Sequence, residues 1–170
     1  MIETLIAVLV FALAVLGMAG TQMVSLSNNK SADLKTTASL LVDDMADRMR
    51  ANHAAVTGGK YNNAVGADLA CSAVHYLDRH PNPAACTSDG IAQDDIGDWN
   101  AMLANLLPGG SGVVCIDSTP NDGTSAAAAA CDNVGVNYAI KIWWTDKQPP
   151  AAGKSIAVNV PGMLVVGFQP

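Results

Sequence analysis

One carboxylate stands out by its surroundings. Glu3 is the single charged residue in the opening run MIETLIAVLVFALAVLGMAG, and nothing from Thr4 to Gly20 is charged. A carboxylate among apolar groups is costly alone and tolerable when a positive group pairs with it. The chemistry on offer at Glu3 is therefore charge pairing with a group outside its own segment. A second set of reactive side chains is Cys71, Cys86, Cys115 and Cys131, all beyond the apolar run. None shows the C-x2-C spacing of a zinc site, and an even number suits disulfides made in an oxidising compartment. Four cysteines allow three pairings. The sequential one, Cys71 with Cys86 and Cys115 with Cys131, closes two loops of about 15 residues, each giving roughly 3 kcal/mol by loop entropy.

Other constellations point away from catalysis. His53, His75 and His80 have neither H-x3-H spacing nor a cysteine at ligand distance in sequence. Asp94, Asp95 and Asp98 read as acids in the first turn of a helix, where the dipole favours them. Ser111 sits between glycines at a helix exit and is not in a G-x-S-x-G elbow, and phosphate-binding or dinucleotide-binding glycine motifs are absent. The expectation is a non-enzyme with no cofactor and no metal. A net charge of −6 with nine scattered basic residues also argues against nucleic acid as a partner.

The element that positions Glu3 is a long helix. No turn signal follows the apolar run, and helix-forming residues continue to Asn52. Residues 1–52 are expected as one helix, apolar over 1–20 and amphipathic over 21–52, carrying a head of residues 53–170. Leu26, Leu34, Ala38, Leu41, Met45 and Met49 make one helical stripe expected to pack on that head. Gly17 and Gly20 mark the change of character, either as a soft point or as small residues for helix packing. A cleaved secretory signal fits poorly because no Lys or Arg precedes the apolar core. A membrane anchor fits by length, since a span needs about 20 apolar residues.

In the head, Asp68–Cys71 is expected as a short helix or loop, His80-Pro81-Asn82-Pro83 as a turn and Thr87–Gly90 as loop. A helix is expected to open at Asp94, with Ile96, Trp99, Leu103 and Leu106 on its apolar side and Pro108-Gly109-Gly110 as its stop. Strands are predicted at 112–116, 136–144 and 155–160, with 163–168 as a fourth. Tyr138, Ile140, Ile142 and Trp144 share one face of the second. Trp143 faces the other way, for packing or as an interface anchor. Residues 117–130 form an excursion between the first two strands. A long helix followed by consecutive strands is α+β with an antiparallel sheet and a helix and loop insertion.

Met1-Ile2-Glu3-Thr4-Leu5-Ile6-Ala7 resembles the N-terminus of type IV pilins and pseudopilins. In that family a basic leader is cut before the apolar helix, and Glu is the fifth mature residue. The match begins at the third mature position, so the leader and two mature residues would precede Met1. The segments Leu13–Gln22, Asp44-Met45-Ala46-Asp47-Arg48-Met49-Arg50-Ala51-Asn52 and Trp99 through Leu106-Leu107-Pro108-Gly109-Gly110-Ser111-Gly112-Val113-Val114 are similar to the PilV family of type IV pilus modification proteins. The resemblance implies a pilin fold and a minor pilin that primes or modifies pilus assembly near the tip. It implies pairing of Glu3 with a neighbouring subunit's N-terminal amine. The implied partners are other minor pilins, the major pilin, a prepilin peptidase and a tip adhesin. The implied location is a bacterial inner membrane with a periplasmic head, and then the pilus at the cell surface. A type II secretion minor pseudopilin and a tip-displayed adhesion module are the alternatives, and the loop between Cys115 and Cys131 is the place for binding. Some pseudopilins bind calcium in loops like the one holding Asp117, Asn121 and Asp122. The spacing here is not D-x-D-x-D-G, in line with the expectation of no metal.

Overall fold

The computed structural model describes residues 2–64, 71, 86–148 and 158–170. Helix α1 runs from Ile2 to Ala51, with acidic Glu3 in its first turn and Arg48 and Arg50 in its last, both favourable to the helix dipole. The helix passes Gly17 and Gly20 without interruption, and a Cβ added at either would meet nothing outside its own turn of helix within 4 Å among the described residues. Asn52 breaks it, and a short helix α2 follows over His53–Thr57.

Helix α3 spans Ser88–Leu106, so it begins before Asp94, where the sequence pattern places its start. The cause is a cap. Thr87 takes an extended backbone conformation and its Oγ1 accepts a hydrogen bond from Gly90 N at 3.1 Å, with Asp89 in the first turn. Gly90, a poor helix former, hides that signal. Asp94, Asp95 and Asp98 therefore lie inside the helix and not in its first turn.

Three strands, β1 (Ser111–Ile116), β2 (Tyr138–Gln148) and β3 (Val158–Phe168), form an antiparallel sheet in that order. Val114 pairs with Ile140, and Ile140 with Val166. With the helices this is α+β. The two strands expected at 155–160 and 163–168 are one strand across Pro161-Gly162. Pro161 is accommodated because β3 lies at the sheet edge. Thr145, opposite it, sends its N–H the other way, to Pro108 O at 2.7 Å. Gly162 is accommodated because the Trp144 indole covers it, with Cε2 2.3 Å from where a Cβ would stand. Ser155–Ala157, Lys154, His75, His80, the turn at 80–83 and Asp68–Ala70 lie outside the described residues.

The core lies between α1, α3 and one sheet face. Leu34, Ala38, Leu41, Met45 and Met49 are buried as their periodicity predicts, joined by Val42 and Ala46. Leu26 is not, being 69 % exposed. Among the described residues, the first side-chain hydrogen bond from α1 to the head is at Ser31, whose hydroxyl donates to Asp146 Oδ2 at 2.5 Å, and Leu26 lies more than one turn before it. Tyr138, Ile140, Ile142 and Trp144 face this core. Trp99 is fully buried, and its indole N–H donates to Leu41 O at 2.8 Å, tying α3 to α1. Trp144 joins this core, whereas Trp143 lies on the opposite sheet face outside it; each is only 5 % exposed, so neither serves as an exposed anchor.

Candidate functional site: the projecting helix and its join to the head

From Ile2 to Leu26 the large apolar side chains of α1 are open to solvent: Leu5, Val8, Leu9, Phe11, Leu13, Leu16 and Met23 are all more than 60 % exposed. About 29 helical residues precede Ser31, a projection of roughly 43 Å at 1.5 Å per residue. An apolar helix of that length left uncovered in water is unfavourable by about 25 cal/mol for each Å² of apolar surface, so it needs lipid or like helices around it. Among the described residues, α1 is the one helix long and apolar enough to cross a membrane, and it fits a single-pass anchor. Glu3 lies exposed in its first turn, at the far end from the head. No described basic side chain of the chain pairs with it.

At the other end, the stretch Asp44–Asn52 joins helix to head. Arg48 Nε binds Asp44 Oδ2 at 2.9 Å, and its Nη1 reaches Asp95 Oδ1 on α3 at 3.3 Å. Tyr61 Oη donates to the other oxygen of Asp95 at 2.6 Å. Burial, and then the Asp95 carboxylate, push the Tyr61 phenol well above its ordinary value, so it stays a donor. Asn52 Nδ2 donates to Ser88 O at 2.8 Å. Arg50 pairs with Asp47 on the surface and lies 5.6 Å from the Phe168 ring centre. A cleft of about 500 Å³ opens beside this cluster, lined by Arg48, Ala51, Asn52, Ile91 and Asp95. Its charged groups already satisfy one another, which makes it a brace between α1 and α3. The acids of this segment are visible in sequence, whereas their partner Asp95 lies 47 residues from Arg48.

The cysteines form the sequential pairs Cys71–Cys86 and Cys115–Cys131. Cys115 lies in β1, so the second bridge clamps the excursion between β1 and β2 to the sheet. Cys115, Asp117 and Cys131 place their donor atoms within 4.8 Å of one another, but the two sulfurs are bonded together and cannot act as thiolate ligands. Asp117 Oδ1 instead accepts from Thr119 N at 2.9 Å, and its Oδ2 lies 2.5 Å from Lys141 Nζ. Asp132 holds the excursion's far side, accepting from Ser118 Oγ, Ser118 N and Val134 N. The Ser118 hydroxyl, followed by the two backbone N–H groups, keeps the Asp132 carboxyl below its usual range.

Lys141 was not singled out by the sequence pattern. It alternates with Ile140 and Ile142, and an alternating lysine normally faces water. The signal available was a lone cation amid an apolar run opposite an acid-rich loop. Among the described residues, His53 is exposed and Ser111 opens β1.

No family model, curated protein or solved structure matches the chain.

Proposed function

We propose that this chain is a minor pilin of a type IV pilus, which primes or modifies assembly together with other minor pilins and the major pilin. One observation carries the reading. A single unbroken helix is core to the head over its second half and projects, apolar and uncovered, over its first, with one carboxylate near the tip. A plain anchor gains nothing from that carboxylate. A bundle of like helices does, if each acid meets an amine on its neighbour. In this reading the membrane holds the subunit, head in the periplasm, until it moves into the filament, where other apolar helices replace lipid around α1. The resemblance of the N-terminal run to type IV pilins and pseudopilins, and of residues 13–22, 44–52 and 99–114 to the PilV family, supports the same assignment.

The test is Glu3→Ala in a cell that assembles the pilus. Removing one member of a buried pair costs about 3–5 kcal/mol, because the other charge is left alone. The variant is expected in the membrane fraction at the wild-type level and absent from sheared pili. Normal incorporation of Glu3→Ala would remove the basis for the pairing.

A further inference from the structure

The sheet face turned away from α1 holds a lysine that solvent does not reach. Lys141 is central in β2, opposite Val113 of β1 and Val165 of β3, and its side chain is 0 % exposed. Its Nζ lies 2.5 Å from Asp117 Oδ2, 2.9 Å from Asp122 Oδ1, 2.8 Å from Ala129 O and 3.4 Å from Asp122 O. All four oxygens come from the excursion that the Cys115–Cys131 bridge closes. Thr119 fixes the two carboxylates by their remaining oxygens, its N–H on Asp117 Oδ1 and its hydroxyl on Asp122 Oδ2 at 3.0 Å. Gly123, at φ +86°, lets the chain turn back. A Cβ there would stand 2.5 Å from Ala129 O. Thr124 N then binds Ala128 O at 3.0 Å, which presents the next carbonyl, Ala129 O, to the ammonium.

We propose that the 117–132 excursion is a cation cage whose occupant the chain supplies itself. The Lys141 ammonium stands in for a divalent ion, so the excursion keeps its shape without calcium, and removing the Lys141 side chain turns the cage into a calcium site. The donor set consists of two carboxylates and two backbone carbonyls, the hard oxygen ligands that calcium takes at about 2.3–2.6 Å. Asp117 Oδ2, at 2.5 Å from Nζ, already stands in that range, and Ala129 O at 2.8 Å and Asp122 Oδ1 at 2.9 Å lie a few tenths of an ångström beyond it, a contraction that a loop can absorb. Two carboxylates around one ammonium leave one negative charge over, which a divalent ion would cancel. Asp122 is 44 % exposed, giving an entry path and room for water ligands. Magnesium suits the cage less, since it demands a near-ideal octahedron at about 2.0–2.1 Å. A tethered ammonium cannot be chelated or diluted away, so the surface that the excursion presents is constant whatever the calcium concentration. This holds whether or not the chain is a pilin.

The experiment compares wild type, Lys141→Ala and Lys141→Met as full chains in detergent, each in chelator and in millimolar calcium. Wild type is expected to melt at the same temperature in both. Lys141→Ala is expected to melt lower in chelator and to recover roughly 5 °C once calcium exceeds its dissociation constant about tenfold. Lys141→Met, whose methyl blocks the ion position, is expected to show no calcium response. If Lys141→Ala does not fold in chelator, refolding from denaturant with and without calcium decides. Calcium-dependent recovery supports the cage, and failure in both conditions overturns it. A calcium shift in wild type, or a folded Lys141→Ala indifferent to calcium, also overturns it.

Discussion

The join between α3 and the sheet is tight enough to predict a compensating pair of substitutions. A Cβ on Gly112 would stand 2.4 and 2.5 Å from Trp99 Cη2 and Cζ3, and 2.6 Å from Leu103 Cδ1. Carbon atoms in contact prefer about 3.5–4.0 Å, so Gly112→Ala asks the indole to move by more than an ångström. The indole is fully buried and pinned by its N–H to Leu41 O. Overpacking of this kind costs about 1–3 kcal/mol, and pinning places Gly112→Ala in the upper half of that range. Trp99→Phe loses the hydrogen bond, worth about 1 kcal/mol, and opens a small cavity for about 1–2 kcal/mol more. Independent effects would sum to about 4–6 kcal/mol. In the double variant the phenyl no longer reaches the atoms that the new methyl strikes, and the methyl fills the space left. The double variant is therefore expected to lose only about 2–4 kcal/mol, a favourable coupling of at least about 1 kcal/mol. Urea unfolding of the four proteins in detergent, followed by far-ultraviolet circular dichroism, measures it. Additivity within about 0.5 kcal/mol would refute the claim that the indole edge rests on Gly112.

Three further outcomes are expected. The Lys141 ammonium holds the Asp122 carboxyl below its usual range, so Asp122 adds stability above about pH 4 that is lost as pH falls through its lowered value. Burial alone would lower the Lys141 pKa, but hydrogen bonds to Asp117 and Asp122 raise it overall. Its contribution is therefore complete below about pH 10 and lost as pH rises through the raised value. Thermal midpoints across pH should show a plateau between these limits, with Asp122→Asn flattening the acid side; an unchanged acid side counts against the pair. Arg48→Ala should cost about 2 kcal/mol by leaving half-buried Asp95 with Tyr61 alone, and Arg48→Lys should not restore it, because one ammonium cannot reproduce the two-armed contact to Asp44 and Asp95. A denaturation midpoint for Arg48→Ala equal to wild type would show the brace to be idle. Replacing Cys115 and Cys131 together by Ser should cost about 3 kcal/mol by loop entropy, read from the same unfolding curves, with a loss below about 1 kcal/mol contradicting it.

Much of the fold follows from patterns between near neighbours in the chain. The unbroken helix to Ala51, the stripe from Leu34 to Met49 and the face shared by Tyr138, Ile140, Ile142 and Trp144 all come from periodicity and appear as expected. So does the stop after Leu106, where Pro108 cannot continue a helix. The lone Glu3 in an apolar run is likewise a sequence fact. The misplacements fall where a local signal was ambiguous. Thr87 caps a helix whose third residue is a discouraging glycine, and Pro161-Gly162 resembles a strand break while lying on an edge beneath Trp144.

Sequence alone determined that the first twenty residues are apolar with one acid, that a helix carries them and that strands follow. Tertiary structure decided that, among the described residues, the helix first bonds to the head at Ser31, beyond the end of the apolar run, because that depends on which side chains find partners on β2. It decided among three cysteine pairings. It also decided the role of Lys141. Alternation along β2 places that side chain opposite the core, which on a one-sided sheet means water. Only the folded excursion, brought over the strand by the Cys115–Cys131 bridge, supplies the oxygens that make its burial favourable. Hydropathy and periodicity are properties of adjacent residues, whereas the free energy of a buried charge is set by oxygens that only folding brings to it.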